Sequence, residues 1–240
     1  MNKLPPYKIS PLGDAALAVD FGNIISHTIN DIVISIFKKL QQQPIEGMTE
    51  VVPAYSSLTI YYDVIALRKK ISDETSVFDR MKASVSNFIE QETEIVQNES
   101  RVVTIPVCYE KEFATDLEWI SSQLKISDEK IIQLHTAKTY RVYMLGFLPG
   151  FAYMGEIDDK INLPRKNQPQ MVVAGSVGIA GKQTGIYPFN SPGGWQIVGR
   201  TPIKLFNKEN KEPTLVQAGD SVKFISISKN EFENIKSRNS

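Results

Sequence analysis

Two rhythms of apolar residues run through this chain. Ile25, Ile29, Ile32, Val33, Ile36, Phe37 and Leu40 recur every three or four positions, which places them on one face of a helix. That helix stops before Pro44 and Gly47. A second helix is expected from Thr75 to Glu90, with Phe78, Met81, Val85, Phe88 and Ile89 as its apolar face. Short β-branched and aromatic runs predict strands at Tyr7–Ile9, Ala15–Val19, Glu50–Pro53 and Ser57–Tyr62, with a turn at Pro11–Asp14. The order ββαββα gives residues 1–92 the look of a small α/β domain of the α+β class, its helices on one face of a sheet. The polar stretch from Gln91 to Ser100 lacks apolar periodicity, so 93–100 reads as a linker.

Residues 101–240 carry a different signal. Val102–Cys108, Tyr140–Leu145, Ile203–Phe206 and Ser221–Ile227 read as strands, the last followed by a polar tail. A capping box of Thr115 with Glu118 starts a helix bearing Leu117, Ile120 and Leu124. Ser127 caps another, with Ile131, Ile132 and His135. From Gly146 to Thr201 lie ten of the fourteen glycines, interleaved with prolines and with Phe147, Phe151, Tyr153, Tyr187 and Trp195. Glycine frees the backbone and proline fixes φ, so this block predicts tight turns between short buried strands, with rings at the surface or rim. Many short strands with frequent turns indicate a barrel or sandwich.

Composition narrows the function. The 240 residues hold 27 basic and 27 acidic side chains, and no basic block stands out as a nucleic-acid surface. Cys108 is the single cysteine, which fits a reducing compartment. The first residues lack the apolar core of a signal peptide, and no apolar run reaches membrane-spanning length, so a cytoplasmic protein is expected.

Most chemical motifs fail on inspection. Around Gly181-Lys182 a phosphate loop would need glycine where Ser176 stands and Ser or Thr where Gln183 stands. A non-standard anion nest there stays open beside plain structural turns. Ala174–Gly178 resembles a nucleophile elbow, but no helix follows and both His27 and His135 precede Ser176. Cys108 with His135 could make a nucleophile and base, or Cys108 could be a small core residue. His27 opens a helix and should face solvent. The chain has no zinc-ligand spacing. Asp14, Asp20, Glu156, Asp158, Asp159 and Asp220 show no pairing in sequence; Asp14 and Asp220 follow glycines as turn residues do. Arg165, Gln183, Thr184, Tyr187, Ser191, Gln196 and Arg200 sit among glycines that let a ligand approach the backbone. Trp195 either anchors a partner from a tight turn or fills the barrel.

Four stretches, GFLPGFAYMG, PRKNQPQ, VAGSVGIAGKQTGIYP and SPGGWQIVGRTP, preceded by KISPLGD, closely resemble one family over nearly the whole chain. It is the allophanate hydrolase subunit 1-like family, which includes the B subunit of the bacterial ATP-dependent 5-oxoprolinase and KipI-like inhibitors of sporulation histidine kinase A. The resemblance implies an α+β N-terminal domain plus a cyclophilin-like β-barrel C-terminal domain. It implies work with 5-oxoprolinase subunits A and C (KipA-like) to open 5-oxo-L-proline to L-glutamate with ATP as co-substrate, the nucleotide site being shared with a partner. It also implies binding to the kinase's dimerisation and phosphotransfer domain. Related modules form the carboxyltransferase part of urea carboxylase, but no biotin-carrier motif is present here, and no metal is expected. On this reading Arg165, Gln183, Thr184, Tyr187 and Arg200 are the candidate catalytic residues. Phe147, Phe151, Tyr187 and Trp195 are the candidate partner-binding rings. A purely kinase-inhibitory binding protein is the alternative. The barrel type also admits a prolyl isomerase, for which no independent motif speaks.

Overall fold

A computed structural model describes residues 4–70, 75–91 and 100–238. Its contacts divide the chain into two compact units, Met1–Glu99 and Ser100–Ser240. Apart from Ser100, the expected linker lies outside the described residues.

The first unit is a four-stranded antiparallel sheet with helices. Its elements are β1 (Lys8–Pro11), β2 (Ala16–Asp20), α1 (His27–Gln42), β3 (Met48–Pro53), β4 (Ser57–Tyr62), α2 (Val64–Arg68) and α3 (Val77–Gln91), with strand order β1-β2-β4-β3. Leu17 and Val19 pair with Ile60 and Leu58. Alternation sends these four into one core with Ile32, Val33, Ile36 and Leu40 of α1 and Met81, Val85 and Ile89 of α3. Helix α1 starts two residues later than Ile25, because Ser26 caps it by accepting from the Ile29 amide; Ile25 is exposed. His27 is exposed, as expected. The short α2, capped by Asp63, has no counterpart in the apolar pattern.

The second unit contains β5 (Val102–Cys108), α4 (Leu117–Leu124), α5 (Asp128–Ala137), β6 (Thr139–Leu145), β7 (Ala152–Gly155), β8 (Gln170–Val172), β9 (Ser176–Ala180), β10 (Gln183–Ile186), β11 (Ser191–Gly193), β12 (Gln196–Arg200), β13 (Ser221–Ile227) and α6 (Lys229–Arg238). Seven strands close a barrel in the order β10-β7-β6-β13-β5-β12-β9. All neighbours run antiparallel except β13 and β5, which pair in parallel from Ser221↔Val102 to Ile227↔Cys108. Val107, Val142, Met154, Val177, Ile179, Ile186, Val198 and Phe224 form the barrel core, joined by Ile120 of α4 and Ile131 of α5. Strands β8 and β11 make a separate two-stranded ribbon.

Three expectations are corrected. Asp116, not Thr115, precedes α4, and no side chain caps that helix. The stretch from Ile203 to Phe206 is irregular, with one bridge from Phe206 to Thr214. The polar tail is helix α6, whose buried Phe232 packs 4.4 Å from the ring of Phe113.

Candidate functional site

The aromatic, glycine-rich block builds the outer wall of the barrel. On β10, alternation turns Thr184 and Ile186 inward and leaves Gln183 and Gly185 outward. Gly185 stands opposite Gly178 of β9 and Tyr153 of β7. A methyl group on Gly185 would lie 3.0 Å from the Trp195 ring and 3.1 Å from that of Phe151; one on Gly178 would lie 3.0 Å from the Trp195 Cβ. These two glycines therefore act as a floor for the indole rather than as turns. Of the ten glycines in the block, Gly150, Gly175 and Gly181 take positive φ.

Phe151 is the hub of the wall. Its ring meets Tyr187, Trp195 and Phe147 edge-on, at centroid distances of 5.2, 5.5 and 5.6 Å. Each such pair contributes about 0.5–1.5 kcal/mol beyond simple burial. The consequence corrects the expected display of rings. Phe151, Tyr187 and Trp195 are 1%, 2% and 4% exposed, because they bury one another against the glycine floor. Only Phe147 of the four, 62% exposed, can offer its ring to a partner directly.

The candidate catalytic residues separate into three places. Arg165 and Gln183 belong to the outer wall. The segment carrying Arg165 is tied down on both sides: Gln196 Nε2 donates to the Pro164 carbonyl at 3.2 Å, and the Lys166 amide to Gly194 O at 2.7 Å. This brings the Arg165 guanidinium 5.9 Å from the centre of the Trp195 ring, a cation–π placement. Arg165 is exposed, and among the described residues no carboxylate pairs with it. Tyr187 lies beneath this wall. A methyl group on Gly193 would come within 2.5 Å of its hydroxyl, so the phenol is covered. Burial pushes its pKa up, and it stays protonated.

Thr184 is elsewhere, inside the barrel. Its hydroxyl donates to Gly178 O at 3.1 Å and sits 2.9 Å from His135 Nε2. Since the hydroxyl proton is used, Nε2 must donate to it. Nδ1 then accepts from the Tyr109 hydroxyl, 2.8 Å away. The imidazole stacks on Phe224 at 4.8 Å and is wholly buried, which holds its pKa down at about 3. His135 is therefore a neutral ring clamping α5 to the barrel. The possible Cys108–His135 pair is corrected: Tyr109, not Cys108, reaches the histidine, and Cys108 points to the other side of the strand with Phe113 and Phe232. Burial pushes the Cys108 thiol up, away from thiolate chemistry.

Arg200 occupies the third place. Its Nε donates to Ala174 O at 3.1 Å, at the edge of a pocket of about 540 Å³. The turn reading of Asp220 holds, since it accepts from the Gln217 amide at 2.9 Å; it also pairs with Arg101 at 2.6 Å.

Two residues escape the sequence reading. Lys166 and Asp116 form an ion pair at 2.7 Å, their side chains only 15% and 17% exposed. The same Asp116 oxygen accepts from the Ile197 amide at 2.6 Å. Asp116 thus binds α4, β12 and the Arg165 segment together. The sequence offers one signal, the Arg165-Lys166 doublet, and no cue to its acidic partner.

The chain matches the family model of the carboxyltransferase domain, subdomain C and D, over residues 7–216. It is 42% identical over 232 residues to the 5-oxoprolinase B subunit of Bacillus subtilis (strain 168), covering 96% of this chain and 97% of that one. The 5-oxoprolinase B subunit of Haemophilus influenzae is 41% identical over 187 residues, covering 77% of this chain and 82% of that one. Among solved structures, TTHA0988 superposes with a TM-score of 0.76 at 33% identity, covering 89% of this chain and 40% of that one. This chain therefore spans less than half the length of that structure.

Proposed function

This chain belongs to the carboxyltransferase subdomain C and D family that includes the 5-oxoprolinase B subunits, and we propose that it is itself the B subunit of an ATP-dependent 5-oxoprolinase. The observation that carries the proposal is the 42% identity over nearly the whole length of a protein so named. The reaction adds water across the ring amide of 5-oxo-L-proline to give L-glutamate, with ATP hydrolysed to ADP and phosphate. A ring amide resists water because its nitrogen lone pair is delocalised onto the oxygen. ATP makes the opening favourable by activating that oxygen, and donors aimed at the charge developing there lower the barrier.

Within this reading Arg165 is the residue that offers such charge. It is exposed, lies against Trp195, and is held by a segment anchored at both ends. Gln183, outward on β10, is a second donor on the same wall. Thr184 and Tyr187 support the wall from within or beneath, so their part is to position it. The nucleotide and the rest of the chemistry are assigned to partner subunits A and C.

Reconstitution with those subunits tests this. ADP release that depends on 5-oxoproline should vanish when this chain is omitted. Arg165→Gln should lower kcat by about tenfold or more, the cost of losing one aimed donor. Release that is indifferent to this chain would sink the proposal.

A second reading, inhibition of a sporulation histidine kinase, is favoured by Phe147, an exposed ring held at φ 66° beside the aromatic hub. A ring fixed in this way suits insertion between apolar side chains of a helical stalk. Phe147→Ala should then relieve inhibition of kinase autophosphorylation. Full inhibition by the folded variant would argue against this ring as the contact.

A further inference from the structure

The pocket beside Arg200 has a composition that fits a ligand. Its walls include Arg200, Lys204 and Lys236, and among the described residues no acidic side chain lines it. Its apolar side includes Phe232 and the pair Phe189 and Phe206, whose rings meet edge-on at 5.8 Å. The volume of about 540 Å³ is that of a small-molecule site. Arg200 is part-buried, and its one side-chain bond, from Nε to Ala174 O, fixes the plane of the guanidinium. The two terminal nitrogens make no bond to any described residue. A fork held in plane with its ends unused is the arrangement that grips two oxygens of one group. Arg200 and Lys204 put positive charge on one cavity wall with no described acidic lining residue beside them, which favours an anion there.

We propose that this pocket binds a small molecule carrying an oxyanion group, carboxylate or phosphate, on an aromatic or otherwise apolar body. The oxyanion sits on Arg200 with Lys204 adding charge, and the body lies against Phe189 and Phe206. The site is distinct from the Arg165 wall, and the inference does not rest on the oxoprolinase reading; turnover with partner subunits is a separate measurement, so each can fail alone.

Calorimetric titration of the full chain with four probes tests it: benzoate, phenyl phosphate, the uncharged benzamide, and inorganic phosphate. Benzoate or phenyl phosphate should bind saturably at millimolar concentration or below, and the tighter of the two identifies the head group. Benzamide and inorganic phosphate should bind at least about tenfold more weakly, since each lacks half of the recognised chemistry. Arg200→Gln should weaken the preferred probe by about tenfold or more. Lys204→Gln, at an exposed position with no described ion-pair partner, should weaken it about threefold and gives a readout even if Arg200→Gln fails to fold. The proposal is overturned if neither aromatic anion binds saturably. Benzamide or inorganic phosphate binding as tightly as the anions would overturn it as well. So would an affinity that folded variants leave unchanged.

Discussion

At the residue scale, the outer wall depends on the hydrogen atoms of Gly185 and Gly193. Adding a methyl to Gly185 puts carbon 2.9 Å from the Ala152 carbonyl as well as against two rings. Gly185→Ala should therefore cost about 1–3 kcal/mol in urea unfolding, with a change in Trp195 fluorescence as the indole lifts. Gly194→Ala is the control: its nearest neighbour would be 3.7 Å away, so stability should stay within about 0.5 kcal/mol. Inside the barrel, Thr184→Val removes the acceptor of the His135 Nε2 proton and leaves a buried donor unmet, for about 1–3 kcal/mol. His135 itself sets a pH dependence. Its folded pKa is lowered to about 3 from 6.5, so the unfolded chain takes up the proton first. Stability supplied by the neutral ring is complete above about pH 6.5 and is lost as the pH falls toward 3. Urea midpoints measured between pH 7 and pH 4 should fall more steeply in the wild type than in His135→Gln, and the difference isolates this group from the carboxylates.

Elements differ in how openly the sequence declares them. Helices α1 and α3 are legible because each keeps one apolar stripe over several turns, as Met81, Val85 and Ile89 show. Helix α6 is not, since Phe232 is its one buried residue and its start is set by the Glu231 carboxylate accepting from the Ser228 amide and hydroxyl. Helix α2 is too short to show a period. Repeated short strands make a barrel or sandwich legible, and the closure is settled by the strand pairing; the role of the glycines is not legible. A glycine at a turn and a glycine under an indole look alike until the strand register is known. The candidate site is legible as a stretch and not as a geometry, because Thr184 and Gln183 are adjacent in sequence yet face opposite sides of β10. Asp116 is hidden for a similar reason: its neighbours Thr115 and Glu118 mimic a capping box, while its own carboxylate serves β12 and Lys166. Asp116→Ala strands a mostly buried ammonium and frees a strand amide, so it should cost about 3 kcal/mol in denaturant unfolding. It should also loosen Arg165 from Trp195, which a change in indole emission would report.

The largest scale turns on the parallel pairing of β5 with β13. These strands lie far apart in sequence yet share seven registered positions, and β13 also pairs with β6. Deleting residues 221–240 should therefore abolish the folded second unit, read as loss of protease resistance and of near-ultraviolet circular dichroism. Deleting residues 229–240 should leave the barrel closed and weaken it by the packing of Phe232 on Phe113 and Cys108 and by the Lys229 contacts to Glu110 and Glu112. The same pairing reaches back to how the molecule is made. While a ribosome is still adding residues beyond Arg200, β5 and β6 wait with raw edges for a strand that has not been translated. Such a nascent chain offers backbone donors and acceptors to any neighbour of the same kind. Early release, or a stall before codon 221, would thus leave a product prone to clumping, and a holdase at the exit tunnel would raise the yield of the finished form.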